Sequence, residues 1–257
     1  MAEVEISTPR GKVLRGSFVN PVDATDAAVL FSHPFLGERT SNSYFDMLAA
    51  TYRGAGYATL EFDYSGCGRS DDDVITARNQ QEDLQSASSW LVEHGFSRQV
   101  LHAHSFGSLV ALRAHPQATQ AMILTGMITG PISFEWSHIF SEGQLDDLEQ
   151  RGETRIPNDT DPQRKYFLIS RQTLVDLSMN KTEELLADLS APILAIHDAD
   201  DIAQGLDKAS AEVVADLPAG SKRVLIPHAH FGSGQDVDRL RELSLQWARD
   251  HVPPRLG

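Results

Sequence analysis

The chain has 257 residues, a formal net charge of -14, 41% hydrophobic and 23% charged residues, which suits one large soluble domain or a core with a modest insertion. The acidic balance repels phosphate backbones and anionic bilayers, so neither nucleic acid nor a membrane is an expected partner, and no apolar run is long enough to cross a bilayer. A single cysteine, Cys67, excludes an internal disulfide and any multi-cysteine metal site, and Met1-Ala2-Glu3-Val4-Glu5 lacks a signal-peptide core, which makes the cytoplasm the expected location.

Glu3 to Ser7 and Lys12 to Phe18 alternate polar and apolar residues around Gly11 and predict an antiparallel edge hairpin. Ala27 to Phe31 predicts a buried strand. Asn42 through Arg53 predicts a helix with Tyr44, Met47, Leu48 and Tyr52 on one face, ended by Gly54 and Gly56. Tyr57 to Phe62 is the next expected strand, followed by the turn-rich Ser65-Gly66-Cys67-Gly68-Arg69-Ser70. Leu84, Ala87, Ser88 and Leu91 recur at helical spacing. Gln99 to His104 predicts a strand and Ser108 to Arg113 a helix; Ala121 to Leu124, Pro192 to Ile196 and Arg223 to Ile226 predict further strands. Such alternation is the pattern of an α/β fold, a mostly parallel sheet covered on both faces. It lapses between Pro131 and Ser190, where Phe134, Trp136, Phe140, Tyr166 and Phe167 lie among helical fragments and 158–162 reads as a loop. The expected organisation is therefore a core of 1–130 and 191–257 with a small helical cap, 131–190, over the carboxyl edge of the sheet, where ligands bind in open α/β folds.

Ala103-His104-Ser105-Phe106-Gly107 sits between an expected strand and an expected helix, where a serine needs small neighbours; the stretch fits G-x-S-x-G with Ala103 for the first glycine. Ser105 is the candidate nucleophile. A serine hydroxyl needs a base and a third group to hold that base. His230, in the loop after the last expected strand, is the candidate base, with His228 its rival. Asp198, Asp200 and Asp201 follow the strand 192–196; register favours Asp201 as the orienting acid, with Asp200 second. A hard-cation loop is a poor alternative for this cluster, since the glycine and glutamate of such loops are missing. The oxyanion would be met by the backbone N–H of Phe106 and, from His33-Pro34-Phe35-Leu36-Gly37, by that of Phe35, because Pro34 has none. The serine, acid, histidine order is that of α/β-hydrolases.

With these residues the chain resembles the α/β-hydrolase superfamily over nearly its whole length, and within it small bacterial serine hydrolases of the cinnamoyl/feruloyl-esterase and S33-like type. The family's H-G-F stretch is matched by His33-Pro34-Phe35, and its D-x-x-G-x-G-x-S turn by Asp63-Tyr64-Ser65-Gly66-Cys67-Gly68-Arg69-Ser70. Its H-G-x-x-D loop is matched by His197-Asp198-Ala199-Asp200-Asp201, which selects Asp201, and its G-A-x-H-F by Pro227-His228-Ala229-His230-Phe231. Pro34, Ala103 and Asp198 replace family glycines. The resemblance implies an α/β-hydrolase fold with a small helical cap and a carboxylic-ester or thioester hydrolase working through an acyl-serine, with no organic cofactor and no metal. Nucleophilic serine sets the chain apart from dehalogenases and epoxide hydrolases, which use aspartate at the elbow. It also separates it from cysteine-dependent dienelactone hydrolases, since Cys67 falls in the glycine turn as a small packing residue.

The expected partner is a small acyl substrate, with His33, Phe134, Trp136 and Phe140 as candidate contacts; a homodimer is left open. Rival readings are C–C bond hydrolysis or acyl transfer on the same triad, an aminopeptidase anchoring its substrate amine on Glu135 or Glu142, and a ligand-binding protein that has kept the hydrolase frame.

Overall fold

The computed structural model describes residues 2–21, 26–39, 43–133, 135–159, 161, 163–231 and 236–255. The chain begins with β1 (Ala2–Ser7) and β2 (Val13–Val19), antiparallel with Ser7 opposite Val13. Their turn closes where Gly11 takes φ 76, a backbone region that glycine enters without steric cost. β3 (Ala27–Ser32) is buried at all six positions. Its residues alternate between two cores: Ala28 and Leu30 enter the cluster on one face, and Val29 and Phe31 enter that on the other.

α1 (Ser43–Gly54) covers the second face with Phe45, Leu48, Ala49 and Tyr52; the side chain of Tyr44, expected on that stripe, lies outside the described residues. β4 (Ala58–Phe62) follows, then the short β5 (Val74–Ile75) and α2 (Ala77–Glu93), which packs Leu84, Ala87 and Leu91 on the first face. β6 (Arg98–His104) runs directly into α3 (Phe106–Ala114), and β7 (Thr119–Thr125) completes the first half of the sheet.

The stretch expected to be helical proves mixed. α4 (Trp136–Ile139) and α5 (Glu142–Arg151) lead into an antiparallel pair, β8 (Glu153–Pro157) and β9 (Tyr166–Ser170), before α6 (Arg171–Ser178) and α7 (Thr182–Leu186). β9 adds in parallel to β5, giving a second sheet of order β5-β9-β8. Alternate burial along β9, with Phe167 and Ile169 inward, is the period-two pattern of a strand. Several bonds fasten this stretch to the core. Thr173 Oγ1 donates to the Ile75 carbonyl at 2.5 Å, Asp176 accepts the Ala77 N–H at 2.7 Å, and Arg113 meets Asp176 at 3.5 Å. The guanidinium of Arg164, 9% exposed, donates to the carbonyls of Gly68 and Ser70 and pairs with Asp72.

β10 (Ile193–His197), α8 (Ala199–Ala203), α9 (Leu206–Val213), β11 (Lys222–Leu225) and α10 (Asp238–His251) finish the chain. α10 lays Leu240, Trp247 and Ala248 on the second face of the sheet. The main sheet has the order β1-β2-β4-β3-β6-β7-β10-β11, parallel from β4 to β11. After β3 the chain steps to one side for β4 and to the other for β6. The order therefore reverses between β3 and β6, and the carboxyl ends of these two strands flank the crevice that such a reversal opens.

Candidate active site

Ser105 stands at that reversal, immediately after β6, with φ 51 and ψ -120. A left-handed φ costs a non-glycine residue about 1–3 kcal/mol. The neighbouring bonds hold it there: the Ser105 N–H donates to the Thr125 carbonyl at 2.8 Å, and its carbonyl accepts from Ser108 N at 2.8 Å and Ser108 Oγ at 2.6 Å. Gly107 is required, since a Cβ there would stand 2.4 Å from the Ser32 carbonyl oxygen. Ala103 is not strained by its methyl; it lies within β6, buried between Ser32 and Leu124. The departure from the glycine pattern thus falls on a regular strand position, outside the turn.

The loop after β3 faces this elbow. His33 Nε2 accepts the Tyr64 N–H at 3.2 Å, so its proton sits on Nδ1 and is donated to the Pro34 carbonyl at 2.9 Å. Burial pulls the imidazole pKa down to about 4 and keeps it neutral. At 1% exposure His33 is enclosed, a correction to its expected role as a substrate contact: it is spent on satisfying the backbone of the neighbouring turn. The Gly37 N–H closes a turn onto Pro34 at 3.1 Å, and the Phe35 ring packs edge-on to Phe106 with centroids 5.4 Å apart. That contact brings together the two residues expected to supply oxyanion donors. Among the described residues neither the Phe35 nor the Phe106 N–H is engaged in another hydrogen bond.

The glycine-rich turn after β4 is the buttress of this loop. Asp63, 1% exposed, accepts the Arg39 N–H at 2.7 Å and the Arg69 N–H at 3.1 Å. Gly68 lets the chain wrap the carboxylate, since a Cβ would lie 2.3 Å from Asp63 Cγ. Cys67 is wholly buried here, and burial pushes its thiol pKa far up. Tyr64 Oη bonds Ser32 Oγ at 2.6 Å, and Ser32 Oγ reaches the Gly107 carbonyl at 3.1 Å, which links the turn to the elbow.

His230 follows β11 in chain order, on the edge of the sheet that carries Ser105. Its Nδ1 is 3.2 Å from both carboxylate oxygens of Asp200. A carboxylate only accepts, so Nδ1 carries a proton and donates it to Asp200. This corrects the register: the carboxylate beside His230 belongs to Asp200, where Asp201 was expected. The cause is the cap of α8. Asp198 accepts the Asp200 and Asp201 N–H groups at 3.0 Å each, and Asp201 bends back to accept the Asp198 N–H at 3.1 Å, a reciprocal capping box. Asp201 therefore turns inward, 7% exposed, and burial pushes its pKa up to about 7. His228 is exposed and has no bond to these acids among the described residues. No hydrogen bond joins Ser105 Oγ to His230 among the described residues.

A second serine, histidine and carboxylate set lies below. Ser210 Oγ is 2.8 Å from His197 Nε2, and His197 Nδ1 is 3.8 Å from Asp201. Ser210 and His197 are both wholly buried, so no substrate carbonyl reaches them. Burial also holds His197 near a pKa of about 4. Among the described residues no group of three His, Cys, Asp or Glu could hold a metal ion.

Of the expected substrate contacts in the inserted stretch, Phe134 lies outside the described residues. Trp136 is half-buried and stacks on Phe140 at 5.8 Å, and Phe140 is 4% exposed. Phe140 is thus a packing residue, a correction to its expected role. Sequence reasoning placed Asp198 in the acid cluster but missed its role as a helix cap, although an aspartate at the end of a strand with a carboxylate three residues on is a capping-box signal. It also missed Arg164, whose partners come from a turn distant in sequence.

The sequence profile described as the Alpha/beta hydrolase family matches residues 29–243. No curated protein matches the chain. Among solved structures, alpha/beta hydrolase GrgF from Penicillium sp. sh18 is 19% identical, with a TM-score of 0.76 and 98% of each chain covered. The Pyrococcus furiosus esterase PF2001 is 15% identical with a TM-score of 0.70, covering 98% of this chain and 90% of that one. The esterase domain of a Rhodothermus marinus protein is 22% identical with a TM-score of 0.67 and 98% of each chain covered. At these identities the likeness is one of fold.

Proposed function

Because the chain belongs to the alpha/beta hydrolase family, we propose that it hydrolyses a carboxylic ester or thioester through an acyl-serine on Ser105, with His230 as base and Asp200 as the acid that orients it. The observation that carries this reading is the left-handed Ser105 at the reversal of strand order, on the same edge as a histidine whose Nδ1 is held by a carboxylate. Two of the similar folds are named esterases, which favours ester chemistry.

In this reading Ser105 Oγ attacks the substrate carbonyl carbon and its proton passes to His230 Nε2. Asp200 steadies the imidazolium through Nδ1–H. The Phe35 and Phe106 N–H groups meet the oxyanion, a contribution of several kcal/mol when such donors are fixed beforehand. Collapse breaks the bond to the leaving alkoxide or thiolate, which takes the proton from Nε2. Water then attacks the acyl-serine, gives its proton to Nε2, and the acid leaves as Ser105 Oγ is reprotonated.

Hydrolysis of p-nitrophenyl acetate tests this directly. Ser105→Ala is expected to lower kcat by roughly 10⁴-fold or more and to abolish covalent labelling by a fluorophosphonate. Unchanged turnover in that variant would sink the assignment.

A further inference from the structure

We propose that Asp198, which stands where the resembling H-G-x-x-D pattern has glycine, is a positioning residue that sets the separation of Asp200 and His230; the inference rests on the triad reading above. One carboxylate, 3% exposed, serves both loops. Its Oδ1 accepts the N–H of Asp200 and of Asp201 at 3.0 Å, and its Oδ2 accepts the N–H of Phe231, the residue after His230, at 2.8 Å. The Ala199 N–H donates to the Ala229 carbonyl at 3.0 Å and ties the same two loops a second time.

The pair that Asp198 aligns cannot align itself. The Asp200 and His230 side chains are 59% and 43% exposed, and a side-chain contact in that much water holds geometry weakly. Charge-assisted bonds to backbone N–H groups inside the protein are stronger and directional. The relative place of acid and base is therefore set by their backbones, and those backbones share one buried anion. Glycine at this position offers no such link.

The test compares Asp198→Ser and Asp198→Asn, each alone and in an Asp200→Asn background, on p-nitrophenyl acetate. Serine caps a helix as well as aspartate, but its single oxygen cannot also reach Phe231. Asparagine keeps the size and presents a donor to one of the two loops whichever way its amide turns. Both variants are expected to lose roughly 30-fold in kcat with KM within about 2-fold, since small misplacement of catalytic groups is costly. In the Asp200→Asn background the same changes should cost under about 3-fold, because the residue acts through the pair already broken. Wild-type kcat in either folded single variant overturns the proposal by reducing Asp198 to a helix cap. Equal losses in both backgrounds overturn it too, by placing its effect elsewhere. A Ser105→Ala control that still turns over would instead indict the triad reading.

Discussion

The two halves of the candidate site are built differently. On the β3 and β4 side, the supporting acid and imidazole are enclosed: Asp63 and His33 are each 1% exposed and bonded to backbone N–H groups. On the β10 and β11 side, the candidate side chains stand in water, with Asp200 59% and His230 43% exposed, and the backbone beneath them is what is fastened. The arm expected to meet the oxyanion thus rests on buried, hydrogen-bonded side chains, the kind of support that electrostatic preorganisation requires. The arm expected to move the proton is a solvent-exposed pair on a fixed base.

The largest test of this contrast separates the adjacent aspartates. Asp200→Asn should lower kcat on p-nitrophenyl acetate by about 10³-fold, because an amide can face His230 Nδ1 with the wrong hydrogen-bonding group. Asp201→Asn should stay within about 5-fold, its carbonyl oxygen still able to accept the Asp198 N–H. The reverse result would move the orienting acid into the enclosed half. Next in size, Gly107→Ala should cost about 3 kcal/mol in urea denaturation, since the added carbon meets backbone oxygens at 2.4 and 2.6 Å. Wild-type stability there would mean that the elbow and the β3 end are not in close contact.

A smaller effect probes a flaw in the enclosed half. Glu61, two residues before Asp63, is 7% exposed and its Oε1 has no hydrogen-bond partner among the described residues, so burial, with Asp46 nearby, pushes its pKa up to about 7. A carboxyl whose folded pKa is raised leaves stability intact below its unfolded value of 4.5 and erodes it as pH rises through 7. Glu61→Gln should therefore match wild type near pH 4 and exceed it at pH 8 by about 2 kcal/mol, read as a pH-dependent difference in thermal denaturation. A constant difference across that range would show that Glu61 titrates normally.

Much of this was legible in the sequence. The strands, their edge hairpin and the serine elbow follow from periodicity and small-residue spacing, because a buried strand and a tight turn impose their demands locally. The carboxylate that faces His230 did not follow. Motif spacing counts residues, whereas the direction of Asp201 is set by a capping box that the aspartate at 198 creates and a glycine would not. His33 was read as a contact because a histidine after a strand looks available; only the position of the Tyr64 N–H reveals what it serves. The β8 and β9 pair escaped for a different reason: it is completed by β5, a two-residue strand far earlier in the chain, and no local window contains that partner.

The chain's one cysteine carries a consequence for chemistry on the native protein. Sealed under the glycine-rich turn and held as a thiol, Cys67 offers no sulfur to solvent. The folded molecule therefore cannot dimerise through a disulfide, and alkylating reagents should leave it unmarked until it unfolds. An acyl or phosphonyl adduct on the native protein accordingly reports on oxygen or nitrogen, never sulfur.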